Sequence, residues 1–135
     1  MKKILFAILA FAAAGVLWTR PAFAVPKIDP AVALEKVATG GAVLIDVREP
    51  SEWSGGVVDG ALLLSLSDLQ GPRALWAKEL DAAKGRELVL YCRSGNRSGI
   101  AGAILEKEEW IVWNAGGYSA FPKSSSVNEK IPPKK

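Results

Sequence analysis

The chain contains no histidine, and this absence excludes more chemistry than most motifs supply. Without imidazole a Cys-His pair cannot form, so a nucleophile has to be activated by dipoles, by arginine or by its own substrate. Cysteine is nearly absent too, with one in 135 residues. No internal disulfide can form, and a centre built from thiolates or imidazoles is excluded within one chain. The sequence therefore implies no metal and no cofactor. Internal repeats are also lacking.

The excess of positive charge is smaller than it looks. Seventeen basic residues face fourteen acidic ones, but the N-terminus reads as a segment that is removed. Lys2 and Lys3 form a basic start, Ile4 to Leu17 is apolar throughout, and Ala22-Phe23-Ala24 is a small-x-small triplet. That pattern predicts a secretory signal peptide over residues 1–24, cleaved before Val25. A membrane anchor is the alternative, but the apolar run is short for spanning and Thr19-Arg20-Pro21 breaks it before the triplet. Lys2, Lys3 and Arg20 leave with the segment, so fourteen basic residues face fourteen acidic ones in the mature chain. The charge balance then implies neither a nucleic-acid partner nor stable membrane insertion, and the location expected is periplasmic or secreted. Trp53, Trp76, Trp110 and Trp113 are scattered without basic interleaving, which suits core and rim packing rather than base stacking.

What is present is a junction. Leu88 to Tyr91 is a short apolar run ended by turn formers, as in a buried strand of a parallel sheet. Ile100, Ala103, Ile104 and Leu105 follow at helical spacing, so a helix begins near Arg97 or Ser98. The loop between them carries the lone Cys92, then Arg93, Ser94, Gly95, Asn96, Arg97 and Ser98. A helix amino end leaves backbone N–H groups without intrahelical partners, and a thiol near such groups and near arginine loses its proton more readily. An inert, buried cysteine is the bland alternative. Two arginines within five residues and a polar, glycine-containing loop argue against it. For the sulfur to react, it has to be reachable from solvent and the loop amides have to point inward.

From Cys92 to Arg97 the spacing is C-x4-R with Ser98 next, and this loop resembles the active-site loop of the rhodanese family of sulfurtransferases. Leu44-Ile45-Asp46-Val47-Arg48-Glu49-Pro50-Ser51-Glu52-Trp53 resembles the family's first signature, and Gly56-Val57-Val58-Asp59-Gly60-Ala61 the glycine-bracketed segment after it. Asn114-Ala115-Gly116-Gly117-Tyr118-Ser119-Ala120-Phe121 is similar to the closing signature. The resemblance implies an α/β fold, an open parallel sheet with helices on both faces. It also implies a reaction: Cys92 takes a sulfane sulfur from an anionic donor such as thiosulfate, holds it as a persulfide, and passes it to cyanide or a thiol. Residues 93–98 would bind the donor. Arg97 has two possible roles, contacting substrate or tying down the loop. Val57 stands where the family often has histidine, Ser65 where it often has proline, and Glu109 where it usually has glycine, so the helix exit is expected to be less regular.

Along the chain, Asp29-Pro30 opens a helix that Gly40-Gly41 stops. Ala42 to Val47 is a strand, with Asp46 and Arg48 at the carboxyl edge where open α/β sheets place their sites. Asp46, Arg48, Glu49 and Glu52 are expected to form a local hydrogen-bond and ion-pair network shaping the loop before the turn at 50–53, with a place for Arg48 near the pocket as the alternative. Leu62 to Leu64 forms the second strand. Ser67 is read as the cap of the next segment, with a helix from about Leu75 to Lys84-Gly85 beyond it. Ile111 to Trp113 is the last strand, and residues 114–121 a glycine-rich turn. The domain spans 25–122, and 123–135, rich in Ser, Asn, Pro and Lys, read as a flexible tail.

Two rivals remain open. A cysteine-based phosphatase or arsenate reductase of similar fold would carry C-x5-R, but the sixth position after Cys92 is Ser98. A domain of this kind can also act as a sulfur-carrier or regulatory module with an unknown protein partner.

Overall fold

A computed structural model describes residues 25–122, and the expected signal peptide and tail lie outside them. Four parallel strands form one sheet in the order β2-β1-β3-β4, with β1 Ala42–Asp46, β2 Leu62–Leu63, β3 Glu87–Cys92 and β4 Val112–Gly117. All five residues of β1 are buried, and so are five of the six in β3. Such runs without polar alternation are what a sheet covered on both faces requires.

Successive side chains point to opposite faces of the sheet. Val43, Ile45, Leu88, Leu90 and Cys92 pack on one side with Leu69, Trp76, Ala101 and Leu105. These come from α3 Leu66–Gln70, α4 Ala74–Ala82 and α5 Asn96–Lys107. Leu44, Val89 and Tyr91 pack on the other side with Ala33 of α1 Pro30–Ala38, and with Val58 and Phe121. The α/β reading with helices on both faces holds.

Local chemistry explains most boundaries and corrects three of them. Asp29 caps α1 by accepting from the Ala31 N–H at 2.8 Å, with Pro30 at the first position. The cap of α3 is Ser65 rather than Ser67, because the Ser65 hydroxyl accepts from the Asp68 N–H at 3.3 Å. Ser67 turns instead to the Glu49 carboxylate at 2.7 Å. The 50–53 segment is a helical turn, α2 Pro50–Trp53, started by a reciprocal capping box between Glu49 and Glu52. The last strand runs on to Gly117, so the first half of the expected glycine-rich turn is sheet. Only Tyr118–Ala120 turns, as one 3-10 turn. The exit of α5, expected to be less regular without a glycine, keeps the regular left-handed ending: Glu109 itself takes φ 70°, its N–H donates to the Glu106 carbonyl at 3.0 Å and the Trp110 N–H donates to the Leu105 carbonyl at 3.1 Å.

The strand order positions the site. From β1 the chain crosses to β2 on one side, whereas from β3 it crosses to β4 on the other. The loops after the neighbouring strands β1 and β3 therefore diverge, leaving a crevice at their carboxyl ends. Asp46 and Cys92 end those two strands. Among the described residues no helix is long and apolar enough to cross a membrane.

Candidate active site

Cys92 is the last residue of β3, and Gly95 caps α5 three residues later. The connection is so short that the helix must start over the strand's end. Gly95 allows it by adopting φ 93°, which L side chains resist. Its N–H donates to the Cys92 sulfur at 3.0 Å. Burial pushes the thiol pKa up, but hydrogen bonds from the Ser98 hydroxyl and the N–H groups of Ser98, Ser94 and Gly95 outweigh it, and the net direction is down. The expected ring of donors is therefore present, with its amides inward.

The expected access is not. Cys92 has no exposed surface, because residues 93–95 close over it onto the end of β4. A Cβ on Gly117 would fall 2.5 Å from the Arg93 carbonyl oxygen, and one on Gly95 would fall 3.2 Å from the Gly116 Cα. Backbone rests directly on backbone there, and the sulfur is sealed beneath.

The loop residues divide by role. Arg93 and Ser94 are exposed, and among the described residues Arg93 makes no ion pair. Arg93 lines an open pocket of about 410 Å3 with Arg48, Glu52, Tyr118 and Ser119. Arg97 points elsewhere: its guanidinium clasps the Glu52 carboxylate at 2.6 and 2.7 Å, joining α5 to α2. Of the two roles open for Arg97, this geometry is the tie rather than the substrate contact. The pair holds the Glu52 carboxyl at about 2, well below its ordinary 4.5. Asn96 is exposed on the first turn of α5. Ser98 is fully buried, its hydroxyl 3.5 Å from the sulfur and 2.7 Å from the Asn114 Oδ1. A hydroxyl has one proton, so the Asn114 oxygen competes with the sulfur for it.

Asp46 and Arg48 form the second wall as one ion pair, whereas Glu49 and Glu52 of the expected network turn to Ser67 and Arg97 instead. Arg48 is 6% exposed and donates to Asp46 Oδ2 at 2.7 Å, to Asp46 Oδ1 at 3.1 Å and to the Gly56 carbonyl at 2.8 Å. Its guanidinium lies 4.5 Å from the centre of the Tyr118 ring, a stacking that suits the planar group. Burial opposes its charge, while the hydrogen bond and charge of Asp46 more than restore it, so its pKa is raised. Arg48 thus lines the pocket as a structural cation.

Asn114 and Tyr118 were not singled out from sequence. Their signal was a polar residue inside the apolar run 111–115 and an aromatic just after paired glycines. No group of three or more acidic, thiol or imidazole side chains suited to a metal occurs among the described residues.

The geometry has counterparts. The Rhodanese-like domain family profile matches residues 29–124. An uncharacterised protein of Synechocystis sp. is 38% identical over 84 residues, covering 61% of this chain and 44% of its own. A Schizosaccharomyces pombe protein, named provisionally as a mitochondrial thiosulfate sulfurtransferase, is 36% identical over 100 residues, covering 60% of this chain and 70% of its own. The solved structure of a human single-domain sulfurtransferase superposes with TM-score 0.55 at 25% identity, covering 72% of this chain and 95% of that one. The chain thus spans less than half the length of the cyanobacterial relative.

Proposed function

The chain belongs to the rhodanese-like domain family, and from that membership we propose that it is a sulfurtransferase using Cys92 as a persulfide carrier. The observation that carries the reading is the 3.0 Å donation from the Gly95 N–H to the sole thiol, at the amino end of α5. Support also comes from the sulfurtransferase names of the yeast and human relatives. The domain proposed is 25–122, acting in the periplasm or outside the cell after removal of residues 1–24.

In the proposed reaction, the Cys92 thiolate attacks the outer sulfur of thiosulfate. The new S–S bond forms as the donor's S–S bond breaks, and sulfite leaves with the electron pair. Cyanide or a thiolate then attacks the terminal sulfur, departs with it, and returns Cys92 as thiolate. Negative charge on either sulfur is met by the loop amides, and each such donor is worth about 2.7 to 4 kcal/mol in comparable anion holes. Because the resting sulfur is sealed, the cycle includes an opening step at residues 93–95. Arg93, exposed at the pocket and free of an acidic partner among the described residues, is the group that draws the donor in. Arg97 is committed to Glu52 and acts by holding the loop.

Thiosulfate titration of the mature protein with intact-mass detection tests this. One added sulfur atom is expected on the wild type, discharged by cyanide and absent from Cys92→Ser. An exposed charge contact is worth about 0.5 to 1 kcal/mol, so Arg93→Ala is expected to raise the thiosulfate KM about two- to fivefold with kcat little changed. A wild type that takes up no sulfur, or a Cys92→Ser variant that turns over normally, would sink the reading.

A further inference from the structure

We propose that Asn114 is a positioning residue, whose carboxamide locks Gly95 so that the Gly95 N–H stays on the Cys92 sulfur. It lies on β4, 9% exposed, with every polar group engaged. Its Oδ1 accepts from the Ser98 hydroxyl at 2.7 Å and from the Gly116 N–H at 3.0 Å, and its Nδ2 donates to the Gly95 carbonyl at 2.9 Å. Its own backbone is pinned by the N-terminal segment, donating to the Pro26 carbonyl at 2.8 Å and accepting from the Ile28 N–H at 3.0 Å.

The partners fix the orientation of the side chain. The Gly116 N–H can only donate and the Gly95 carbonyl can only accept, so oxygen and nitrogen cannot be exchanged. Asparagine alone among residues of this size offers an acceptor for two donors at one end and a donor at the other. Its effect on the sulfur is indirect and short: Nδ2 holds the carbonyl of Gly95, and the amide of the same residue meets Sγ 3.0 Å away. Gly95 needs such a hold, because its φ of 93° is one of many a glycine can adopt. Asn114 also competes with the sulfur for the Ser98 proton, so loss of the carboxamide alone would free that hydroxyl to compensate for the amide.

The catalytic meaning of this lock rests on the sulfurtransferase reading, but its test does not. The readout is the pH midpoint of Cys92 alkylation by iodoacetamide, which needs no sulfur donor. Ser98→Ala is compared with Ser98→Ala/Asn114→Ala, so that a freed Ser98 proton cannot compensate. The charged groups around the sulfur, Arg93, Arg97 with Glu52 and Arg48 with Asp46, are the same in both proteins. A displaced amide donor is expected to raise the midpoint by about one pH unit; equal midpoints overturn the proposal. Should the double variant fail to fold, exchange in the wild type decides. The Gly95 amide and Asn114 side-chain protons are expected to exchange at least about tenfold slower than free amides, and free-amide rates overturn it. If thiosulfate transfer fails in the wild type while the midpoint shifts, the reaction is wrong and the positioning stands.

Discussion

Replacing Glu52 by glutamine keeps the side chain's shape and removes its charge. The Glu52 carboxylate receives both arms of Arg97 and, at 2.9 Å, the Glu49 N–H. Its pKa falls from 4.5 to about 2, which at 1.36 kcal/mol per pH unit sets a ceiling of about 3.4 kcal/mol. Both side chains are 28% exposed, so solvent screening reduces this to about 1 to 2 kcal/mol. The sign follows from linkage: a carboxyl depressed by folding stabilises fully above its unfolded value and loses the contribution as pH falls through its folded one. Urea denaturation of wild type and Glu52→Gln is therefore expected to differ by about 1 to 2 kcal/mol at pH 7. The gap should narrow below pH 4.5 and nearly close by about pH 2. A gap that stays constant from pH 7 to pH 3 would refute the ion pair as its origin.

Three further perturbations follow from the packing. The Tyr91 hydroxyl accepts the buried Val58 N–H at 3.0 Å, so Tyr91→Phe leaves that donor unpaired, and a loss of about 1 to 3 kcal/mol is expected in chemical denaturation. Glu109→Gly relieves a left-handed φ of 70° worth about 1 to 2 kcal/mol, partly offset by the freer unfolded chain. A raised Tm is expected, and an unchanged or lower one would count against strain there. Gly117→Ala drives a Cβ to within 2.5 Å of the Arg93 carbonyl oxygen. Displacement of the loop is expected to cost about 1 to 3 kcal/mol, read as a lowered urea midpoint, and an unchanged midpoint would count against the close approach.

The junction from β3 to α5 was legible because it is local. Apolar residues 88–91, the turn formers and the helical spacing after them all lie within one short stretch, and the site sits at its join. The role of Arg97 was not legible, since its partner Glu52 is 45 residues away and a guanidinium reads alike whether bound to a carboxylate or to a substrate. Asn114 escaped for a related reason: its contacts to residues 95 and 98 are brought together only when β3 and β4 pair. That pairing slips between Leu90 and Cys92, an irregularity no residue pattern announces. Ser67 looked like a cap by composition, yet Glu49 competes for it from another loop. Nor could the closure over Cys92 be read from residue types, because it depends on two glycine backbones meeting another strand of the chain.

That closure has a kinetic consequence. A sulfur with no exposed area meets any reagent only through a pre-equilibrium, so the observed rate is the product of an opening constant and an intrinsic reactivity. As reagent concentration rises, the rate approaches a ceiling set by the opening step, the same for a small oxidant, an alkylator or a sulfur donor. Intrinsic nucleophilicity and apparent reactivity of Cys92 are thereby separated, and a low thiol pKa need not mean rapid oxidation.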